Sequence, residues 1–259
     1  MIFDSLGHAT VDGNWLDSDL DASFNSYSNQ LLQNEYIGGV VVGLSGKNSY
    51  QHLNFLDLSR DYSNLYPVAG FNPVIESLSE LENLKKNGFY GIKIHPRFSD
   101  IDLAIEQKKL IDCFKVCASL DFPIFLCTFN QCKLPSVQSA DPLYSLTSIF
   151  QESPNTKVVM VHGGVHDLMK YCDLARFNEN ILIDLSLVMM KYPGSALDLD
   201  IEFLFKHFDR KISIGSDFPE YNLQDVKDRF NRFACDIPLD KKENIANKNI
   251  SKFLNLPRP

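Results

Sequence analysis

The sequence predicts an α/β fold: a single (β/α)8 TIM-type barrel with residues 1–259 as one domain. Three observations carry this reading. Eight short apolar runs, rich in Val and Ile and bounded by Gly, Pro, Asn or Asp, recur along the 259 residues, as buried parallel strands do. Polar joints and amphipathic stretches separate them, with a strand-to-strand spacing of about 22 to 36 residues, the length of a βα unit. The first run is followed by GHATVDGN (7–14), which does not match the GxGxxG turn expected of a doubly wound sheet.

The apolar runs are, in order, MIFDSL (1–6), IGGVVVGL (37–44), LYPVAGF (65–71), YGIKIH (90–95), FPIFLC (122–127), KVVMVH (157–162), ILIDLSL (181–187) and KISIGS (211–216). Between them lie helical patterns. SELENLKKNG (79–88) spaces Leu81 and Leu84 by three and stops at Asn87-Gly88. The segment 101–120 gathers Leu103, Leu110, Ile111, Phe114 and Cys117 on one face. Segments 167–177 and 198–208 behave similarly, 244–256 reads as a closing helix, and the final PRP as a frayed end.

Composition narrows the function classes. Apolar residues make up 44% and charged residues 22%, as in a soluble globular protein. The net charge of −8 comes with no Lys/Arg block, which argues against a nucleic-acid partner. No run approaches the ~18 to 20 apolar residues of a membrane span, and MIFDSLGH lacks the basic and apolar regions of a signal peptide. The six cysteines (113, 117, 127, 132, 172 and 235) contain no CxxC and read as reduced thiols. The expectation is a cytoplasmic protein. A homo-oligomer stays open, because no interface is legible.

In a barrel of this kind function collects at the C-terminal strand ends. There the sequence places His8, Asn72, Lys93 and His95, Cys127, His162, Asp184 and Ser186, and Asp217. Of six histidines, three end predicted strands and His166 follows one within four residues, while His52 and His207 sit in helical patterns. His, Cys and carboxylate side chains bind zinc-like ions, and a metal held there would polarise a carbonyl and acidify water. The plainer readings are that a lone strand-end histidine is a hydrogen-bonded structural residue, Cys127 a small buried hydrophobe, Lys93 an ion-pair partner of Asp184, and Asp217 a helix cap. The coincidence of four such groups at one mouth favours a site.

These residues resemble the amidohydrolase-related group, the "amidohydrolase 2" branch of TIM-barrel metal-dependent hydrolases and decarboxylases, along nearly the whole chain. FDSLGH (3–8) resembles its opening D-x-H-x-H, GFYGIKIHP (88–96) its G-x-x-G-I-K-L-H-P strand, and VVMVHGG (158–164) its H-G-G element. ILIDLS (181–186) is similar to its D-x-S segment, ISIGSDFP (212–219) to G-S-D-x-P, and 244–256 to its closing helix. The resemblance implies that His8 matches the second strand-1 histidine ligand, His162 the histidine that assists catalysis, and Asp217 the strand-8 ligand. Two positions depart: Leu6 replaces the first strand-1 histidine, and Cys127 stands where a strand-5 histidine is expected.

Three arrangements follow. A shifted site holds one divalent ion, zinc before manganese or iron, through His8, Cys127 and Asp217, with His95 or His162 open as a further ligand. A metal-free enzyme uses His162, Lys93 and Asp217. Or the barrel binds a small molecule or protein without chemistry. The resemblance implies a hydrolase acting on a small, anionic carboxylate-, amide- or lactone-type substrate, with decarboxylation also open. Asp217 would orient or deprotonate water, and His162 would polarise a carbonyl or shuttle a proton. Lys93, His95 and Arg97 would fix the anion, with Asn72 beside them, and the loop bearing Trp15 would cover the pocket.

Overall fold

The computed structural model describes residues 1–129 and 141–256; Cys132 and the terminal PRP lie outside the described residues. Eight strands follow one another in parallel around the sheet: β1 (Ile2–Gly7), β2 (Tyr36–Val42), β3 (Leu65–Gly70), β4 (Ile92–Ile94), β5 (Ile124–Cys127), β6 (Val158–Val161), β7 (Ile181–Asp184) and β8 (Ile212–Ser213). Helices intervene: α1 (Phe24–Gln33), α2 (His52–Arg60), α3 (Glu80–Asn87), α4 (Gln107–Ser119), α5 (Pro142–Glu152), α6 (Leu168–Arg176), α7 (Ala196–His207) and α8 (Leu223–Ala234). The barrel class read from the apolar runs is the one observed. Among the described residues no helix is long and apolar enough to cross a membrane.

Alternation along the strands divides the core in two. Phe3, Val40, Val42, Val68, Phe125, Val159, Val161 and Leu182 fill the barrel interior as one apolar cluster. The alternate set, including Val41, Ile92, Ile94, Ile124, Leu126, Met160 and Ile183, packs outward against the helices. Lys93 pairs in register with Phe125 and lies between Ile92 and Ile94, so it points inward with Phe125. Ile250 and Leu254 of the closing helical segment join the interior cluster.

The elements differ from the sequence expectation at their edges. The 101–120 pattern becomes a helix only from Gln107, although Ile101 and Leu103 remain buried. The closing helix begins earlier, at Leu239, passes through a π-turn at Asn244–Lys248 and ends at Phe253. Gly88 takes φ 111° just past α3, the left-handed stop its Asn-Gly signal predicted. The runs 181–187 and 211–216 shrink to four and two strand residues, because the chain beyond them turns to side-chain partners.

That departure closes the barrel. Between β8 and β1 the ladder is reduced to an isolated bridge, Gly7 to Phe218. Three backbone bonds span the seam: Ser5 N–H to Ile214 O at 2.9 Å, Asp217 N–H to Leu6 O at 2.9 Å and His8 N–H to Phe218 O at 2.8 Å. The carboxylate of Asp4, fully buried, supplies the rest. Its Oδ1 accepts from Ser216 N–H at 2.8 Å and Leu6 N–H at 3.2 Å; its Oδ2 accepts from the Ser216 hydroxyl at 2.5 Å and the Tyr27 hydroxyl at 2.9 Å. Thus one side chain ties β1, the loop after β8 and α1 together.

Asp4→Ala leaves several buried donors without an acceptor. The expected loss is about 3 kcal/mol or more of unfolding free energy, read as a lower urea midpoint. An unchanged midpoint would show that the seam does not depend on Asp4.

Candidate active site

The loops beyond the C-terminal strand ends enclose a cleft of about 190 Å³ lined by His8, Trp15, Leu16, His95, Arg97, Phe98, Phe129, His162, Leu187, Lys191, Asp217, Glu220 and Tyr221. It is smaller than the ~300–1,000 Å³ usual for drug-sized ligands, so it suits a compact molecule.

The strand ends place its reactive groups. Asp217 stands just past the seam with φ 55°, a left-handed conformation that Asp tolerates better than most residues. Its amide is anchored on Leu6 O and its carbonyl receives Glu220 N–H at 2.9 Å. It is no helix cap, since Asn222 caps α8. Asp217 Oδ1 lies 3.2 Å from His8 Nε2. Burial alone would raise the Asp217 pKa, but His162, His8 and Lys93 outweigh it and hold the carboxyl down at about 2. Asp217 is therefore an anion, and His8 donates to it from Nε2.

His162 follows β6 with φ 69°, and Gly163, Gly164 and Val165 continue in the left-handed region. A Cβ at Gly164 would lie 2.2 Å from the Tyr171 ring, which explains the second glycine of the HGG run. The Gly164 amide donates to Thr128 Oγ1 at 2.8 Å. His162 Nδ1 faces the Ser186 carbonyl and hydroxyl, at 3.1 and 3.0 Å. Burial, helped by Lys93, lowers its pKa to about 4 despite the pull of Asp217. His8 is lowered by burial against Asp217, and His95 falls well below the usual range through burial, Lys93 and Arg97.

The cleft wall is cationic. Arg97 lies between Phe98 and Phe129, 4.8 and 4.7 Å from the ring centroids, and Lys191 Nζ stands 4.9 Å over Phe129. Among the described residues neither cation has a carboxylate within ion-pair distance. Glu220 instead accepts from the Trp15 indole at 2.6 Å. Trp15 reaches the cleft on a small hairpin, Asn14–Trp15 against Ser18–Asp21, and its ring lies 5.1 Å from that of His8.

Other expected residues are not in the cleft wall. Asn72 folds onto its own turn, accepting from Val74 N–H at 3.0 Å. His166 is exposed beside the Tyr192 ring. Lys93 lies beneath, 1% exposed, and among the described residues its Nζ has no hydrogen-bond partner; it makes no ion pair with Asp184, whose carboxylate is held by the Ser5 and Ser186 hydroxyls and the Ser186 amide. Burial pushes the Lys93 pKa down, against Cys127, Asp217 and Asp184. Cys127 is buried at the end of β5, and burial raises its thiol pKa.

The expected ion-binding set of His8, Cys127 and Asp217 does not assemble. Among the described residues no three His, Cys, Asp or Glu side chains converge as a ligand group. Leu6 is fully buried in the interior cluster, and the amine of Lys93 lies among the strand-end groups, its field acting on Cys127, Asp217, Asp184 and the three cleft histidines. A divalent ion does not fit these residues. Sequence reasoning missed Lys191, Phe129, Glu220 and Tyr221. Glu220 and Tyr221 directly follow GSDFP, and Lys191 lies five residues beyond Ser186, so the loops after strands 7 and 8 held the signal.

The amidohydrolase family model matches residues 51–256. No curated protein matches the sequence. Among solved structures, a probable 2-pyrone-4,6-dicarboxylic acid hydrolase from Acinetobacter baumannii with citric acid bound is 19% identical, with 98% of this chain and 99% of that one covered and a TM-score of 0.73. An amidohydrolase from Burkholderia multivorans with bound HEPES is 12% identical, with 99% and 100% covered and a TM-score of 0.77. The same protein with bound zinc superposes with a TM-score of 0.74 at 14% identity, with 99% and 100% covered. At such identities the likeness concerns the fold.

The buried imidazoles refuse protons that the unfolded chain accepts below pH 6.5. Their contribution to stability is present above 6.5 and lost as pH falls toward the lowered values, the His162 share being on the order of 3 kcal/mol by pH 4. Asp4 and Asp184, raised by burial to about 7 and about 6, work oppositely and gain stability over that fall. Thermal unfolding of His162→Gln should therefore show a weaker acid-side loss than the wild type between pH 6.5 and 4. Parallel curves would contradict a neutral buried His162.

Proposed function

Because the chain belongs to the amidohydrolase family, we propose that it hydrolyses a small anionic carboxylate-, amide- or lactone-type substrate by metal-free acid–base chemistry. One observation carries the reading. An ionised carboxylate, Asp217, and a neutral imidazole, His162, share a compact cleft with two cations, Arg97 and Lys191, that have no acidic partner among the described residues. The protein is acidic overall, with a net charge of −8, so locally unpaired cations mark where an anion is received. The dicarboxylic acid named for the Acinetobacter baumannii protein, and its bound citric acid, belong to the same chemical class.

In this reading Arg97 and Lys191 hold the carboxylate of the substrate across the Phe129 ring. Trp15 and Leu16 cover it. Asp217, kept ionised and oriented by His8, accepts a hydrogen bond from the attacking water. His162 lies in the same cleft and takes part in the proton transfer that accompanies attack on the carbonyl carbon. Lys93 supplies positive potential from below the floor. Breaking the acyl C–O or C–N bond releases a ring-opened acid, or an acid and an amine. The family is commonly metal-dependent; in this reading no step passes through an ion, because the described residues bring together no group of three potential ligands.

A non-catalytic binding barrel is the second reading, favoured by Leu6 and Cys127. Hydrolysis of small lactones and carboxylate amides, 2-pyrone-4,6-dicarboxylate among them, separates the two. Asp217→Asn should lower kcat/KM by about a thousandfold or more with the fold retained. Equal turnover by wild type and variant would remove Asp217 from the chemistry; turnover by neither, alongside tight binding of the same compounds, leaves only the binding reading. Arg97→Met and Lys191→Met should each raise KM about 10-fold or more through loss of a charge-assisted contact.

Metal content gives a separate check. Elemental analysis after loading with zinc or manganese should find well under one ion per chain, with turnover indifferent to chelator. One ion per chain, lost in Cys127→Ala or Asp217→Ala, would make the protein a variant metallohydrolase instead.

A further inference from the structure

We infer that the two histidines His95 and His162 divide the proton work of the cleft by tautomer: His162 presents a bare Nε2 that accepts a proton, and His95 presents an Nε2–H that donates a hydrogen bond to the reacting oxygen. This deepens the hydrolase reading above and rests on it for its catalytic meaning. The placement of the ring hydrogens rests on hydrogen-bond geometry, and the neutrality of His162 on its burial.

His162 is set by the chain after β7. Its Nδ1 lies 3.1 Å from the backbone oxygen of Ser186. A carbonyl oxygen only accepts, so the hydrogen sits on Nδ1. The Ser186 hydroxyl, 3.0 Å from the same nitrogen, spends its own hydrogen on Asp184 Oδ1. It therefore also accepts from Nδ1–H. Asp184 is itself fixed by the Ser5 hydroxyl and by the Ser186 amide at 3.1 Å. In a neutral imidazole a hydrogen on Nδ1 leaves Nε2 as a lone pair. Asp184 and Ser186 never reach the cleft; they are positioning residues acting through His162.

His95 is set the opposite way. The amide of Phe98, shared with the His95 carbonyl at 3.1 Å, also donates to His95 Nδ1 at 3.3 Å. An amide only donates, so this Nδ1 is bare and the hydrogen sits on Nε2. The ring is locked flat on Phe98, centroids 4.0 Å apart and planes 5° from parallel. His8 takes no part in this division, because its Nε2–H is committed to Asp217. The cleft thus carries one imidazole that accepts and one that donates, both neutral, just past β6 and β4.

The division decides the sequence of events. Water held by Asp217 gives its proton to His162 Nε2 as its oxygen bonds to the carbonyl carbon. The carbonyl oxygen takes up the π electron pair against His95 Nε2–H. The carbonyl re-forms as the bond to the leaving oxygen or nitrogen breaks, and the proton on His162 passes to that leaving atom. Nε2 is then bare again, and Nδ1–H has stayed on Ser186 throughout.

The test is proton-detected NMR of the ligand-free full chain carrying 15N-labelled histidine, at neutral pH. The rings are assigned by the signals lost in His95→Gln and His162→Gln. The expected result is an Nδ1–H tautomer for His162 and an Nε2–H tautomer for His95. Ser186→Ala, which removes the hydroxyl and keeps the carbonyl, should give His162 a measurable Nε2–H population, and Ser186→Thr should restore the wild-type pattern. The same tautomer on both rings, or the two tautomers exchanged between them, overturns the inference. No substrate is needed. Failure of the hydrolase reading would show instead as correct tautomers without turnover.

Discussion

The buried carboxylate of Asp4 is the interaction on which the rest of the molecule depends. A parallel barrel needs its last strand to meet its first, and here β8 is only two residues long. The ordinary ladder cannot complete the circle. Three backbone bonds cross the gap, and Asp4 adds two more to Ser216 while also accepting from Leu6 and Tyr27. The same closure sets Asp217 and His8 opposite one another, since Asp217 N–H and His8 N–H are both seam bonds. Stability and chemistry are therefore fixed by one stretch of chain, and a change that loosens the seam moves the acid–base pair with it.

Desolvation governs what the site can be. Three imidazoles, an amine, a thiol and two carboxylates crowd the upper barrel with little access to water. Burial works against the charged form of each; in Asp217 alone the neighbouring His162, His8 and Lys93 outweigh it. Leu6, where the family pattern has a histidine, belongs to the apolar interior.

Much of this was legible in the residues. The eight apolar runs marked the strands because a strand buried on both faces must be continuously apolar, whatever its partners. His8, His95, His162 and Asp217 were legible because polar groups end those runs abruptly. The limits have physical causes. Asn72 looked like the others in sequence, yet its amide side chain found a nearer partner in its own turn. Lys93 stood among strand-end residues, but register with Phe125 turned it into the interior. Lys191 could not be placed, since its position depends on how the four-residue helix Val188–Lys191 folds against Phe129. Ser186 and Asp184 were visible as a strand-7 motif; which nitrogen they would engage was a matter of fractions of an ångström.

Trp15 is the only tryptophan in the chain. It is buried at the cleft rather than in the main core, with its indole N–H on Glu220 and its ring against His8. The near-ultraviolet emission of the whole protein on excitation of tryptophan thus arises from a single fluorophore at the site. Occupancy of the cleft, displacement of the Asn14–Asp21 hairpin and protonation of His8 all act on that one signal, while events in the helical layer are optically silent. The molecule carries its own reporter, and unknown ligands can be sought by titration without label or assay.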